Sequence, residues 1–331
     1  MSPDIVGGVS ARARVYFGVA LAAIAAAAVV VVGAALPGGE PAKTSSGPAS
    51  AARKGPPPLE LELGVRNDPD ARLLRQAAAL YGGGRRRQAL ALFGRSRSLE
   101  AQVGAAFAAW PAGTLERLRA LARVHPQSGL VLVDLGIVRA WRGDVAGARR
   151  DWRRAKRLQP DSPYALRADT FLHPGYVPGV PVFVPSFAAR ASVSNPTALR
   201  ALRDAAADGG VRQKLVYGIV LQQLGHQLSA ERAYARSAAL APNDPEARVA
   251  AAVGRFDKDH PERAFSRLGP LVRVFPHAST VRFHLGLLLA WLAQVDAAKQ
   301  QFRKAYALAP SSSLGREARR FLQRLVGTRT R

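Results

Sequence analysis

Prolines spaced 34 residues apart constrain the fold of this chain more than any other feature. Pro242, Pro276 and Pro310 are separated by this interval, and so are Pro126 and Pro160. Each proline closes an apolar, Ala-rich stretch with helical periodicity. A fixed period in this range is typical of stacked supersecondary units rather than of one globular core. An ordinary helical bundle with accidental spacing is the alternative.

Small and large residues recur at fixed places within these stretches. A small residue where two helices cross lets them approach to about 8–10 Å, and a large side chain fills the hole one turn further on. The closing proline lies where the second helix must stop. The clearest copies are Leu135, Gly136, Gly143, Ala148, Trp152, Ala155, Pro160; Leu285, Gly286, Leu289, Ala298, Phe302, Ala305, Pro310; and Gly218, Gly225, Ala230, Tyr234, Pro242.

This pattern resembles the tetratricopeptide repeat (TPR) over residues 70–325. The resemblance implies an all-α fold, a right-handed solenoid of antiparallel helical hairpins. It also implies a concave groove, lined by the first helix of each unit, that holds peptides of partner proteins. Carried over position by position, the lining of this partner groove is Leu130, Val133, Ile137, Trp141; Leu215, Ile219, Gln222; Val249, Val253, Phe256; and Phe283, Leu287, Trp291.

The lining implied by the resemblance is mainly apolar. It lacks the Asn and Lys clamp with which some members of the family grip a terminal carboxylate. An apolar groove fits an amphipathic helix or a hydrophobic strand of a protein partner, whose identity the sequence does not give. Alternatively, helices from the irregular region Leu59–His125 or the segment Phe171–Phe187 fill the groove from within the chain.

An apolar run predicts a membrane anchor near the N-terminus. Val15–Leu36 contains 22 apolar or small residues. As a helix it would extend about 33 Å, enough for a bilayer core. Arg12 and Arg14 favour a cytoplasmic N-terminus, so we expect a single-pass cell-membrane protein with extracytoplasmic repeats. A cleaved signal sequence is the alternative, because small residues occur near Ala34.

Proline content and the repeat register divide the rest of the chain. Pro160 and Pro242 are 82 residues apart, about 14 more than two periods, and the prolines between Phe171 and Phe187 forbid a helix there. That extended segment either covers a helix face or contacts a partner or membrane. The predicted organisation is 1–14 cytoplasmic N-terminus, 15–36 transmembrane helix, 37–58 disordered Pro/Gly/Ser-rich linker, 59–127 degenerate helical repeats, 128–170 one repeat unit, 171–196 Pro-rich insert, 197–325 further units and 326–331 basic tail.

The chain is strongly basic, with a formal charge of +25. Of its 48 basic residues 41 are Arg, a bias that a GC-rich genome produces without selection for a polyanion. One helical stripe of arginines forms a candidate basic surface, either simply solvated or used to bind an acidic protein. The alternative function is an electrostatic binder of anionic lipid or nucleic acid through this surface, with nucleic acid the less favoured of the two. The basic surface is Arg149, Arg150, Arg153, Arg154 and Arg157.

Residues suited to catalysis are sparse, and we expect no enzyme activity, cofactor or metal. The chain has no cysteine, and its six histidines lack metal-ligand spacing. Asp257, Asp259 and His260 are the only dense cluster of possible ligands, and their place before Pro261 predicts a capping role. The triple glycine Gly82–Gly84 predicts a turn rather than a phosphate loop. Some membrane-anchored repeat proteins assist envelope or cytochrome c assembly, which is an analogy only.

Overall fold

The computed structural model describes residues 53–187, 189 and 193–327. Within these residues the chain forms fifteen helices and no β-strand, which confirms the all-helical prediction. Short turns join most successive helices, so chain neighbours pack side by side as antiparallel pairs. The helices are α1 (Pro69–Gly82), α2 (Arg86–Phe93), α3 (Leu99–Ala108), α4 (Thr114–Val124), α5 (Gly129–Trp141), α6 (Val145–Leu158), α7 (Pro163–Leu172), α8 (Pro196–Asp208), α9 (Val211–Gln223), α10 (Gln227–Leu240), α11 (Pro245–Val253), α12 (Glu262–Val274), α13 (Ser279–Trp291), α14 (Val295–Leu308) and α15 (Ser313–Gly327).

The best-formed hairpins cross at a glycine. Gly218 of α9 faces the ring of Tyr234 of α10, and a Cβ atom on this glycine would lie 2.3 Å from the ring carbon Cε1. Gly136 of α5 has the same relation to Trp152 of α6, whose Nε1 would lie 2.3 Å from the added Cβ. Any side chain at these positions would overlap the ring, so glycine is what allows the close approach. The small-then-large pattern of the sequence therefore reflects helix packing.

The turn inside four of the hairpins, α1–α2, α5–α6, α9–α10 and α13–α14, uses a residue with left-handed backbone. Gly84, Gly143 and Gly225 occupy this place with φ values of 77°, 91° and 81°. In the α13–α14 hairpin the same place is taken by Ala293, with φ 58°. The Cβ atom of an L-residue is crowded in this conformation, at a cost of roughly 1–2 kcal/mol. The α13–α14 turn is therefore strained where the others are relaxed.

Two apolar cores lie along the chain. The first contains Phe93 and Trp152 and is built mainly from α1 to α7. The second contains Tyr234 and Phe302 and is built mainly from α9 to α15. The break falls after α7, where the Pro-rich insert interrupts the register of the repeats. We call the two parts the N-terminal half and the C-terminal half.

The Pro-rich insert separates α7 from α8. The described residues between Leu172 and Pro196 form no helix and no strand, as their prolines predict. Helix α8 then packs against α9. Lys214 of α9 fixes this packing, because its Nζ donates to three carbonyl oxygens at the end of α8 at 2.6–3.1 Å. A cation there also complements the negative end of the helix dipole.

The segment before α1 differs from its prediction. The sequence predicts helix from Leu59, yet the first helix of the described residues begins at Pro69, and residues 53–68 before it are not helical. The prediction of a disordered linker over residues 37–58 is also wrong for its last residues, because the N–H of Arg53 donates to the carbonyl oxygen of Trp141 at 2.8 Å. Contacts with the repeats replace the local helical hydrogen bonds that were expected.

The predicted membrane span, residues 15–36, lies outside the described residues. Among the helices that are described, none combines the length and the apolar character needed to cross a bilayer.

The left-handed turns give a reciprocal test. Ala293→Gly should raise the free energy of unfolding by about 1 kcal/mol, because it removes backbone strain. Gly84→Ala should lower it by about as much, since an added Cβ at Gly84 meets nothing within 4 Å and only the backbone effect remains. Chemical denaturation of both variants measures the two changes. Shifts of the same sign would contradict the assignment.

Candidate functional site

The predicted groove residues lie together along the inner helices but do not line an empty channel. They belong to α5, α9, α11 with the residue just after its turn, and α13. All of them are buried except the half-buried Trp141. Two extended segments of the chain itself, residues 53–66 and 177–187, contact these inner helices. Neighbouring helices bury other members of the set, as Phe302 and Phe321 do for Phe283. The alternative in which Phe171–Phe187 fills the groove describes the C-terminal part of this arrangement, whereas residues 53–66 are not the helices expected for the N-terminal part.

The C-terminal half holds residues 177–187, which we call the strap. Three of its backbone N–H groups donate to side chains from three different inner helices. The N–H of Phe183 donates to Oε1 of Gln222 in α9 at 3.1 Å. The N–H of Val184 donates to Nε2 of His284 in α13 at 2.9 Å. The N–H of Ser186 completes this set, because it donates to Glu246 in α11.

Ser186 fixes the far end of the strap by both of its backbone groups. Its N–H donates to Oε2 of Glu246, near the start of α11, at 3.1 Å. Its carbonyl oxygen accepts from the hydroxyl of Ser313, the first residue of α15, at 2.8 Å. Burial raises the pKa of the Glu246 carboxyl, and the hydrogen bond from the Ser186 N–H partly offsets this rise. The strap is therefore fixed through its main chain across most of the C-terminal half.

Phe183 anchors the strap by its side chain. Its ring is 2% exposed and belongs to the core of the C-terminal half. The ring stacks on His284, with centroids 5.1 Å apart, and meets Tyr234 edge-on at 5.7 Å. The hydroxyl of Tyr234 donates to the same Gln222 oxygen that accepts from the Phe183 N–H, at 2.8 Å. One amide oxygen thus joins the hairpin crossing to the strap.

His284 is neutral in this arrangement. Its Nδ1 lies 2.7 Å from the carbonyl oxygen of Thr280, so Nδ1 carries the proton and Nε2 is left to accept from Val184. Complete burial lowers the pKa of the imidazole to about 4. Protonation would place an N–H against the N–H of Val184 and so remove one of the strap contacts.

The N-terminal half is covered in a similar way by residues 53–66. The N–H of Glu60 donates to Oδ1 of Asp134 in α5 at 3.1 Å. The indole Nε1 of Trp141 donates to the carbonyl oxygen of Gly55 at 2.9 Å. Burial raises the pKa of the Asp134 carboxyl well above its usual value. Leu63 completes the contact by joining the apolar core.

Sequence reasoning missed the polar acceptors Asp134 and Glu246. Asp134 interrupts an apolar run on α5, and this interruption was the available signal for a buried hydrogen-bonding site. Glu246 follows Pro245 in the first turn of α11, where an acidic residue is ordinary. Nothing local distinguishes it, because its partner Ser186 lies 60 residues away in the chain.

The predicted cluster Asp257, Asp259 and His260 lies in the turn between α11 and α12, but its predicted capping role is wrong. The cap of α12 is Pro261, with no side-chain hydrogen bond. Asp259 instead reaches across to the N-terminal half. Its carboxylate lies 2.9 Å from Nζ of Lys156.

A second contact of Asp259 creates the geometry of a metal site. His173, which follows α7, is 2.9 Å from its carboxylate, and Asp169 of α7 lies beside both, with possible ligand atoms within 4.8 Å of one another. Two ammonium groups already neutralise the carboxylates. Lys156 Nζ is 2.7 Å from Asp169, and Lys258 Nζ is 3.5 Å from it. We read this group as a salt-bridge cluster that joins the two halves, because a divalent cation would meet two like charges.

The basic surface lies on the outer side of α6. Arg150, Arg153, Arg154 and Arg157 are exposed and Arg149 is half-buried, while the opposite side of the helix carries the buried Ala148, Trp152 and Ala155, as predicted. Within the described ranges, none of these five arginines forms an ion pair.

Comparisons with known proteins concern the fold. No protein-family description and no curated protein matches the chain. Similar solved structures are tetratricopeptide repeat proteins. YrrB, a TPR protein with an unusual peptide-binding site, is 16% identical, with a TM-score of 0.31 over 62% of this chain and 99% of that chain. Yeast Tom70 is 13% identical, with a TM-score of 0.38 over 83% of this chain and 52% of that one. A tetratricopeptide repeat protein from Parabacteroides merdae ATCC 43184 is 13% identical, with a TM-score of 0.32 over 78% and 98%.

The salt-bridge cluster gives a stability prediction. The Lys258 side chain is 0% exposed and its ammonium group faces Asp169. Asp169→Asn should lower the free energy of unfolding by about 3 kcal/mol, because it leaves a buried charge without its counter-charge. Adding Lys258→Met should recover most of that loss. Urea denaturation of the single and double variants measures both. If the double variant were no more stable than the single one, the pairing would not be the cause.

His284 gives a pH prediction. Its folded pKa, about 4, is below the usual 6.5, so the unfolded chain binds more protons between these values. The stabilisation is present above pH 6.5 and is lost as the pH falls towards 4, by roughly 3 kcal/mol in all. The variant His284→Gln keeps an acceptor but cannot titrate. Unfolding free energies at pH 7 and pH 4.5 should therefore differ more for the wild type, and equal differences would exclude this role.

Proposed function

We propose that the protein is a non-enzymatic scaffold that holds an extended segment of a protein partner in the groove of its C-terminal half. One observation carries the proposal. Gln222, His284 and Glu246, on three separate helices, accept consecutive or nearly consecutive N–H groups of a single extended segment. Such a set of acceptors recognises polypeptide backbone, and backbone hydrogen bonding is a common source of affinity for extended peptides.

The acceptors differ from those of an ordinary helical core. A buried polar group is unfavourable unless it is hydrogen-bonded, and apolar residues could have filled the same volume. The inner helices nevertheless carry an amide, an imidazole and a carboxylate at the positions that meet the strap. Their presence is accounted for if this surface binds main chain.

Membrane anchoring through residues 15–36 is part of the proposal. Its support is the 22-residue apolar run and the two arginines that precede it. The scaffold would then work at a membrane surface, on the extracytoplasmic side. A role in envelope or cytochrome c assembly is a narrower form of this proposal and rests on analogy.

A second candidate function uses the basic surface of α6 to bind anionic lipid or another polyanion. The favouring observation is the row of exposed arginines that lack an ion-pair partner within the described part of the chain. Binding of this kind should weaken steeply as salt is raised, whereas binding through buried backbone contacts should change little.

Site-specific photo-crosslinking in the full-length chain, in its native membrane, separates the two candidates. Probes at Arg212 and Ser313 flank the strap, since Arg212 lies over the ring of Phe187 and Ser313 bonds the strap carbonyl. A probe at Arg153 reports on the basic surface. We expect one protein to crosslink from both strap positions and not from Arg153, at low and at physiological salt. Crosslinks from Arg153 alone that vanish with salt would contradict the groove and favour the basic surface.

A further inference from the structure

The strap shows which backbone pattern its groove accepts. Phe183 and Val184 donate their N–H groups to the buried Gln222 and His284, and Ser186 donates to the half-buried Glu246, whereas Pro185, between them, has no N–H to donate. The groove therefore accepts backbone N–H donors at the positions of Phe183, Val184 and Ser186 and needs no donor at the position of Pro185. Proline is suited to that fourth position, because its fixed φ favours an extended chain and lowers the entropy lost on binding.

The side chains of the strap show which residues the groove accepts. The pocket formed by Tyr234 and His284 encloses the ring of Phe183. Val180, Val184 and Phe187 pack at the edge of the same core, while the side of the chain at Ser186 is exposed. The pattern is an aromatic anchor, followed by a β-branched residue, a proline and a small residue.

The groove cannot stand empty. If the strap left without replacement, the acceptors Gln222, His284 and Glu246 would lose their donors, and the Phe183 pocket would become a cavity. A segment that supplies the same donors and the same ring would remove both penalties. Exchange of one extended segment for another is therefore favoured over simple opening of the groove.

We propose that the partner segment is an extended apolar peptide with the pattern Phe-Val-Pro-Ser, and that it replaces residues 180–187 in the groove. The strap is then an internal competitor that lowers the apparent affinity for the partner. This inference rests on the proposed function, because it names the chemistry of the segment that the groove would hold.

The test uses a labelled peptide with the sequence of residues 180–187, VPVFVPSF, and the full-length chain in detergent. Phe183→Ala in the chain weakens the internal competitor. We expect this variant to bind the peptide at least tenfold more tightly than the wild type does. Val180→Ser, a milder change at the edge of the core, provides a second weakened strap should Phe183→Ala fail to fold.

N-methylated peptides test the register. Methylation of the backbone nitrogen that corresponds to Val184 removes the donor to His284 and should weaken binding at least tenfold. Methylation at the position of Val182, whose N–H has no partner among the described contacts, is the matched control and should have a much smaller effect. A peptide with Ala in place of its first Phe should not compete.

Three outcomes would overturn the inference. They are a folded strap variant that does not bind the peptide, equal weakening by both N-methyl groups, and exchange of straps between two copies, seen by light scattering as a dimer of Phe183→Ala. If one of these outcomes were found while the crosslinks at Arg212 and Ser313 persisted, the proposed function would stand, but the partner segment would have a different sequence pattern. Peptide binding without such crosslinks would count against the proposed function instead.

Discussion

The inner surface of a helical-repeat stack must be covered if its residues are apolar, and the rest of this structure follows from that constraint. Each hairpin buries one side of its helices against its neighbours, but the concave side has no helical neighbour. In this chain the concave side carries Val133, Leu215, Ile219 and Leu287, all of them buried. Extended segments cover it, residues 53–66 in one half and residues 177–187 in the other.

An extended cover brings its own requirement, because most of its N–H groups have no partner within the segment. The inner helices provide them. Asp134, Gln222 and His284 are buried polar residues, Glu246 is half-buried, and each of the four accepts an N–H of a covering segment. The three buried residues would be costly in a core that contained only helices. Their burial and the position of the two segments therefore depend on each other.

The junction between the halves is held by polar contacts. Asp169, His173 and Lys156 on one side meet Asp259 and Lys258 on the other. Apolar packing continues within each half, as two separate cores. Charged side chains can join the halves because they reach further than the short apolar residues that pack helices at a crossing.

Local patterns determined the repeat architecture of this protein. The period of the prolines, the glycines at Gly136 and Gly218 and the aromatic residues opposite them act within a single hairpin, so a short window of sequence contains the whole cause. The buried state of the predicted groove residues, the pairing of Asp259 with Lys156 and the role of Glu246 were decided by tertiary structure. Their partners lie between 39 and 103 residues away, and which segment covers which helix depends on competition among all surfaces of the folded chain.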